Sequence, residues 1–149
     1  MVNNKEKAHA AGRKPSRPSP ADYESLAEFR FQIRRFLEFS EAAARAVGLT
    51  SRQHQALLAI KGLPSGAAMA VGDLAARLGI RHHSAVELAD RLAEAGLIAR
   101  SADSGDHRRV LLSLTERAES RLAELSLAHL DELARIEPVL KKVLARKAG

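Results

Sequence analysis

The chain has no cysteine and no tryptophan, one tyrosine, and aromatic residues at only 3% of its 149 positions. Without cysteine, disulfides, thiolate metal sites and thiol redox switches are excluded. No uninterrupted apolar run approaches bilayer-spanning length, and the first residues lack the apolar stretch of an export signal. Both absences lead to the expectation of a cytoplasmic protein with no membrane partner. No phosphate-cradling glycine loop and no nucleophile–base arrangement is present, so an enzyme is not expected. His82-His83 lacks the i,i+4 spacing that puts two ligands on one helix face, and no carboxylate set completes it. Neither a metal nor a cofactor is therefore expected. His54 and His129 are read as hydrogen-bonded helix residues rather than ligands.

Uniform charge is also scarce over most of the chain. The net charge is +6, but Lys5, Lys7, Arg13, Lys14 and Arg17 against Glu6 place four of those charges before residue 21. Overall charge thus does not identify an anionic partner for the rest; local arrangement must do so. What is plentiful is apolar side chain, at 46%, enough for one folded domain of a size suited to a dimer.

Residues 1–20, with Pro15, Pro18 and Pro20, are predicted to be a disordered basic tail, either solvated or a mobile nucleic-acid-contacting arm. A single domain is predicted over 21–149. A long helix over 21–47 is expected from Leu26, Phe29, Ile33, Phe36, Ala43 and Val47 at spacings of three and four. Thr50-Ser-Arg-Gln53 is a capping box opening a second helix, with Ala56, Leu57 and Ile60 inward and Gly62 at its end. Met69-Ala-Val71 suggests a short strand. Asp73–Leu78 and 82–95 then read as two helices joined by a tight turn at Gly79 with Ile80 as its apolar anchor, a helix-turn-helix. The second would bury Ala85, Leu88, Ala89 and Leu92 and end at Gly96. Thr115 caps a final helix with Leu122, Leu125, Leu130, Leu133 and Ile136 on its apolar side. Pro138 is expected to interrupt it before a short continuation.

Between these helices, Leu97-Ile-Ala and Val110-Leu-Leu-Ser-Leu114 flank a polar tip with Asp103, Gly105 and Asp106. Gly and Asp accept the backbone angles of a tight hairpin, so a two-stranded ribbon is expected. Its tip carries His107, Arg108 and Arg109. An Arg-tipped hairpin beside a helix-turn-helix makes duplex DNA the expected partner. The fold class is mainly α (α+β): a winged helix-turn-helix lobe over 49–114, with long N- and C-terminal dimerisation helices over 21–48 and 115–149.

From about residue 22 to 145 the sequence resembles the MarR family of bacterial regulators. Asp106-His-Arg108 followed by Leu112-Ser-Leu-Thr115 is similar to the family's Asp-Arg-Arg wing and the Leu-Thr opening the next helix. Leu74-Ala-Ala-Arg-Leu-Gly79 and Asp90-Arg-Leu-Ala-Glu-Ala-Gly-Leu-Ile-Ala-Arg100 resemble its helix-turn-helix and the link into the wing. The resemblance implies a homodimer built from the terminal helices, binding a palindromic operator, often as a repressor released by a small molecule. His107 stands where the family has its first wing Arg, Glu87 where a polar or basic residue is usual, and the C-terminal region is short. Operator sequence and dimer packing therefore lie outside what the resemblance fixes.

A helix fits the major groove, and residues near its N-terminus approach base edges. Here those are Arg81, His82, His83, Ser84 and Glu87. Arg108 is the favoured single contact, since a wing Arg can enter a narrow minor groove; His107 and Arg109 accompany it. Asp106 is expected to brace the wing, because phosphates would repel it. Residues 77–109 carry six Arg against five acids and are nearly neutral. Imidazoles ordinarily titrate near ~6.5, and a neighbouring phosphate favours the cation. Two readings stand for His82, His83 and His107: they raise operator affinity and its salt slope between pH 8 and pH 6, or they are neutral hydrogen-bonding or packing residues. Phe31, Phe39, Arg34 and His54 are candidate lining residues for a small aromatic effector, although Phe stripes more often belong to a core. No effector site is assigned. The alternative function is a winged-helix protein-interaction or architectural module without a specific operator.

Overall fold

The computed structural model describes residues 17–65 and 67–145; the expected tail before residue 17 lies outside them. The elements run α1 (Pro20–Ala46), α2 (Ser51–Lys61), β1 (Met69–Ala70), α3 (Val71–Leu78), α4 (His82–Glu94), β2 (Ile98–Ala102), β3 (Val110–Leu114) and α5 (Glu116–Ala145). No helix among the described residues is long and apolar enough to cross a membrane.

Local chemistry sets most boundaries. Ser19 caps α1, with Pro20 in its first turn and Asp22 accepting from the Ser19 backbone N–H at 2.7 Å. The reciprocal box at α2 is formed as expected: Thr50 Oγ1 accepts from Gln53 N, and Gln53 Oε1 accepts from Thr50 N. Val71, expected in a strand, instead starts α3. The Asp73 carboxylate accepts from Ala70 N at 3.0 Å, which satisfies an open donor at the start of that helix. Thr115 Oγ1 accepts from Ala118 N and donates to the Gly96 carbonyl, tying the start of α5 to the end of the α4 turn.

The three strands form an antiparallel sheet in the order β1-β3-β2, with Met69 opposite Leu112 and Ile98 opposite Leu114. Its inner side and helices α2, α3 and α4 close over Leu57, Leu74, Leu92, Leu97 and Leu112. The long helices α1 and α5 pack along each other, joined to this core through Ala44, Leu49, Ala118, Leu122 and Leu125.

Both long helices leave part of their apolar stripes uncovered in the single chain, and one expectation, the interruption at Pro138, is corrected. Leu26 and Ile33 of the α1 stripe are exposed, whereas Gln32 and Ala44 are buried and Phe29, Phe36, Phe39 and Ala43 are partly covered. The helix carries apolar residues on two faces, and spacing alone does not choose between them. Leu130 and Leu133 of α5 are likewise exposed, while Leu122, Leu125 and Ile136 turn inward. Pro138 does not end α5, which continues through it. The hydrogen bond Pro138 cannot make leaves the Ala134 carbonyl without its helical donor. Residue 134 is exposed, so water can take that donor's place.

Candidate nucleic-acid interface

The turn between α3 and α4 is shaped by Gly79, at φ +64°, a left-handed conformation that costs a side-chain-bearing residue about 1–2 kcal/mol. Ile80 N donates to the Ala75 carbonyl at 3.0 Å and closes the turn. The buried face of α4 (Ala85, Leu88, Ala89 and Leu92) fixes the helix's rotation. Arg81, His82, His83 and Glu87 are consequently presented to solvent, with Ser84 half-buried beside them. All five residues proposed from the sequence share the outer side of this one helix.

The wing is organised by its two aspartates. Asp103 Oδ1 accepts from Gly105 N, and Asp103 N donates to the Arg109 carbonyl. Asp106 Oδ1 accepts from Arg108 N at 3.1 Å, while its carbonyl accepts from Arg109 N. Asp106 therefore braces the tip through the backbone rather than through an Arg side chain. His107 and Arg108 are exposed at that tip.

Arg109 behaves differently from its neighbours. Its guanidinium lies 3.2 Å from Asp73 on α3 and 3.6 Å from Asp103, anchoring the wing to the helix-turn-helix. Arg100 on β2 is similarly paired with Asp90 on α4. Arg81 and Arg108, by contrast, make no side-chain hydrogen bond or ion pair among the described residues. An open cleft of about 700 Å³ separates α4 from the wing, and His82, Val86, Asp90 and Arg108 lie along it. Between α4 and the wing, arginines thus divide into internal clamps, Arg100 and Arg109, and available cations, Arg81 and Arg108.

The four residues considered for an aromatic effector are not brought together. Phe31 is exposed, with the Arg34 and Arg35 guanidinium carbons 5.4 and 5.8 Å from its ring centre. Phe39 and His54 instead belong to a cluster on the inner side of α1. There the His129 ring meets Phe36 at 5.8 Å, Phe39 at 5.3 Å and His54 at 4.8 Å. His129 Nδ1 donates to the Leu125 carbonyl, which can only accept, so in the neutral ring Nε2 accepts from the Ser40 hydroxyl; both separations are 2.7 Å. His54 is 4% exposed, and burial, followed by the neighbouring His129, pushes its pKa below the ordinary imidazole value. This His54–His129 contact, spanning α2 and α5, was not found from sequence. Two histidines 75 positions apart give no periodic signal.

A helix-turn-helix followed by a two-stranded ribbon, packed against long terminal helices, defines a winged helix-turn-helix protein. The sequence narrows the class: the MarR family model matches residues 47–109, from the end of α1 through the wing tip. Solved structures share the fold along most of the chain. AbsC, a MarR family transcriptional regulator from Streptomyces coelicolor, superposes with a TM-score of 0.66 at 18% identity, covering 89% of this chain and 95% of that one. A mutant MarR from E. coli gives 0.64 at 20% identity, with 87% and 99% covered. A mutant MepR from S. aureus, solved bound to an oligodeoxyribonucleotide, gives 0.60 at 20% identity, with 80% and 82% covered. None of the curated proteins matches this sequence. Residues 47–109 are thus similar to the MarR family in sequence, and the chain shares the fold of MarR family regulators of known structure.

Proposed function

We propose that this chain is a sequence-specific, duplex-DNA-binding transcriptional regulator that acts as a homodimer on a palindromic operator. The observation that carries the reading is the juxtaposition of an exposed, cation-bearing face of α4 with an Arg-tipped wing. Arg81, His82, His83, Ser84 and Glu87 would meet base edges and phosphates in the major groove. Arg108, with His107 beside it, would enter the adjacent minor groove. Asp106 and Arg109 would hold the wing in position.

A second copy is the natural cover for the long helices. Leu26, Leu37, Leu127 and Leu130 each leave at least 60% of their surface exposed, apolar surface that a second copy would cover. In the dimer the two α4 helices would sit about 34 Å apart, one DNA turn. The repressor sense and release by a small aromatic effector rest on likeness to the MarR family alone. Binding bacterial chromosomal DNA would have the protein act in the cytoplasm.

Selection from random duplex DNA with the purified protein, repeated with Arg108→Ala, tests the reading. A recovered palindrome whose binding weakens with the substitution supports specific regulation. Salt-sensitive binding without sequence preference would shift the function to an architectural role.

A further inference from the structure

The major groove is about 12 Å wide and a helix with its side chains about 10–12 Å across. A recognition helix seated there therefore has a phosphate backbone along each flank. The wing accounts for one flank of α4. On the other, Ser84, Glu87 and Arg91 face the beginning of α2, leaving an open cleft of about 310 Å³ lined also by Thr50, Arg52 and Gln53. Thr50 and Gln53 satisfy each other across the α2 capping box, so what α2 offers this cleft is the Arg52 side chain. Arg52 and Arg91 are both exposed, and neither side chain has a hydrogen bond or ion pair among the described residues. Glu87, one turn before Arg91, is the acid lining the cleft, so the two guanidinium groups leave it net positive.

We propose that Arg52 and Arg91 form a second phosphate-binding flank of the recognition helix, opposite the wing, holding the DNA strand that the wing does not reach. The inference rests on the duplex-DNA reading above. Arg52 and Arg108 come from different elements on either side of α4, so together they would fix how far the helix rolls in the groove. Phosphate contacts position a protein without reading sequence, so this flank contributes equally on any duplex.

The test is a salt titration of affinity for wild type, Arg52→Ala, Arg91→Ala and Arg52→Lys, on a selected operator duplex and on a scrambled one. Each alanine variant is expected to weaken binding to both duplexes by the same factor. The slope of log affinity against log salt should fall by about one per substituted subunit. Arg52→Lys should keep the wild-type slope, because a point charge suffices for phosphate. Wild-type slopes in both alanine variants, with wild-type binding intact, would overturn the second flank alone. So would a loss confined to the operator duplex, which would mean base reading. Absence of salt-dependent duplex binding by the wild type would bring down the functional reading and this inference together. Circular dichroism melting of the variants, whose substituted side chains are exposed, separates loss of contact from loss of fold.

Discussion

The winged lobe and the two long helices treat apolar surface in opposite ways. In the lobe, Leu57, Leu74, Leu92 and Leu97 are wholly or almost wholly buried. What remains outside on α4 and the wing tip is largely polar and charged. Along α1 and α5, Leu26, Leu37, Leu127, Leu130 and Leu144 stand in the open. Covering a leucine fully is worth about 1.5–3 kcal/mol, a gain that the first region has taken in folding and that the second would take in the proposed dimer. The lobe keeps its large leucines inside a core shared with Ala44, Ala118, Leu122 and Leu125, and the long helices carry the apolar surface that the proposed second copy would cover.

The comparison breaks most visibly through the lobe's core. Leu92→Ala should destabilise the fold by about 2–5 kcal/mol, measured by urea unfolding, because its site is closed on every side. Leu37→Ala, at a 60% exposed position, should change protomer stability far less. Similar losses at the two sites would erase the distinction.

Subunit association sharpens it next. The paired changes Leu37→Glu and Leu130→Glu are expected to weaken dimerisation at least tenfold, about 1.4 kcal/mol, in sedimentation equilibrium, with helical content retained. A dimer of unaltered strength would place the partner surface elsewhere.

The junction between the regions supplies a pH test. His54 has a folded-state pKa below its unfolded value near ~6.5, so the unfolded chain takes up a proton that the folded one resists. Its contribution to stability is complete above that unfolded value and is lost as pH falls from there towards the folded pKa. Thermal midpoints should fall between pH 7.5 and pH 5.5, more steeply in wild type than in His54→Leu. Parallel pH profiles would remove His54 from the account.

The smallest effect concerns the wing clamp. Arg109→Ala breaks exposed ion pairs to Asp73 and Asp103, so protein stability should change by less than about 1 kcal/mol. Amide exchange in residues 103–109 should nevertheless quicken if the clamp holds the wing. Unchanged exchange would show that the Asp103 and Asp106 backbone bonds hold it unaided.

These two regions were also unequally legible. In the lobe, Thr50 with Gln53, Gly79, Thr115 and the Asp103–Asp106 tip each act on backbone a few residues away. Their meaning is contained in a short window, and the helix-turn-helix and wing follow from it. The exposed face of α4 was legible for the same reason: Ala85, Leu88, Ala89 and Leu92 repeat at helical spacing, so the remaining side is the one presented. The long helices gave a weaker signal. Apolar residues on α1 support two faces: of the stripe, Leu26 and Ile33 lie outward, while Phe29, Phe36, Ala43 and Val47 are partly covered. The partner of Arg109 was hidden as well, since Asp73 lies 36 positions away.

By itself, then, the sequence determined the order of elements, the caps at Thr50 and Thr115, the turn at Gly79 and the set of side chains carried outward by α4 and the wing tip. These depend on hydrogen bonds and steric limits within a few residues. Tertiary structure alone decided which face of α1 meets α5, which arginines are held by Asp73 and Asp90, and that His54 and His129 share one buried contact. Those outcomes depend on distances between segments far apart in the chain, which only packing sets.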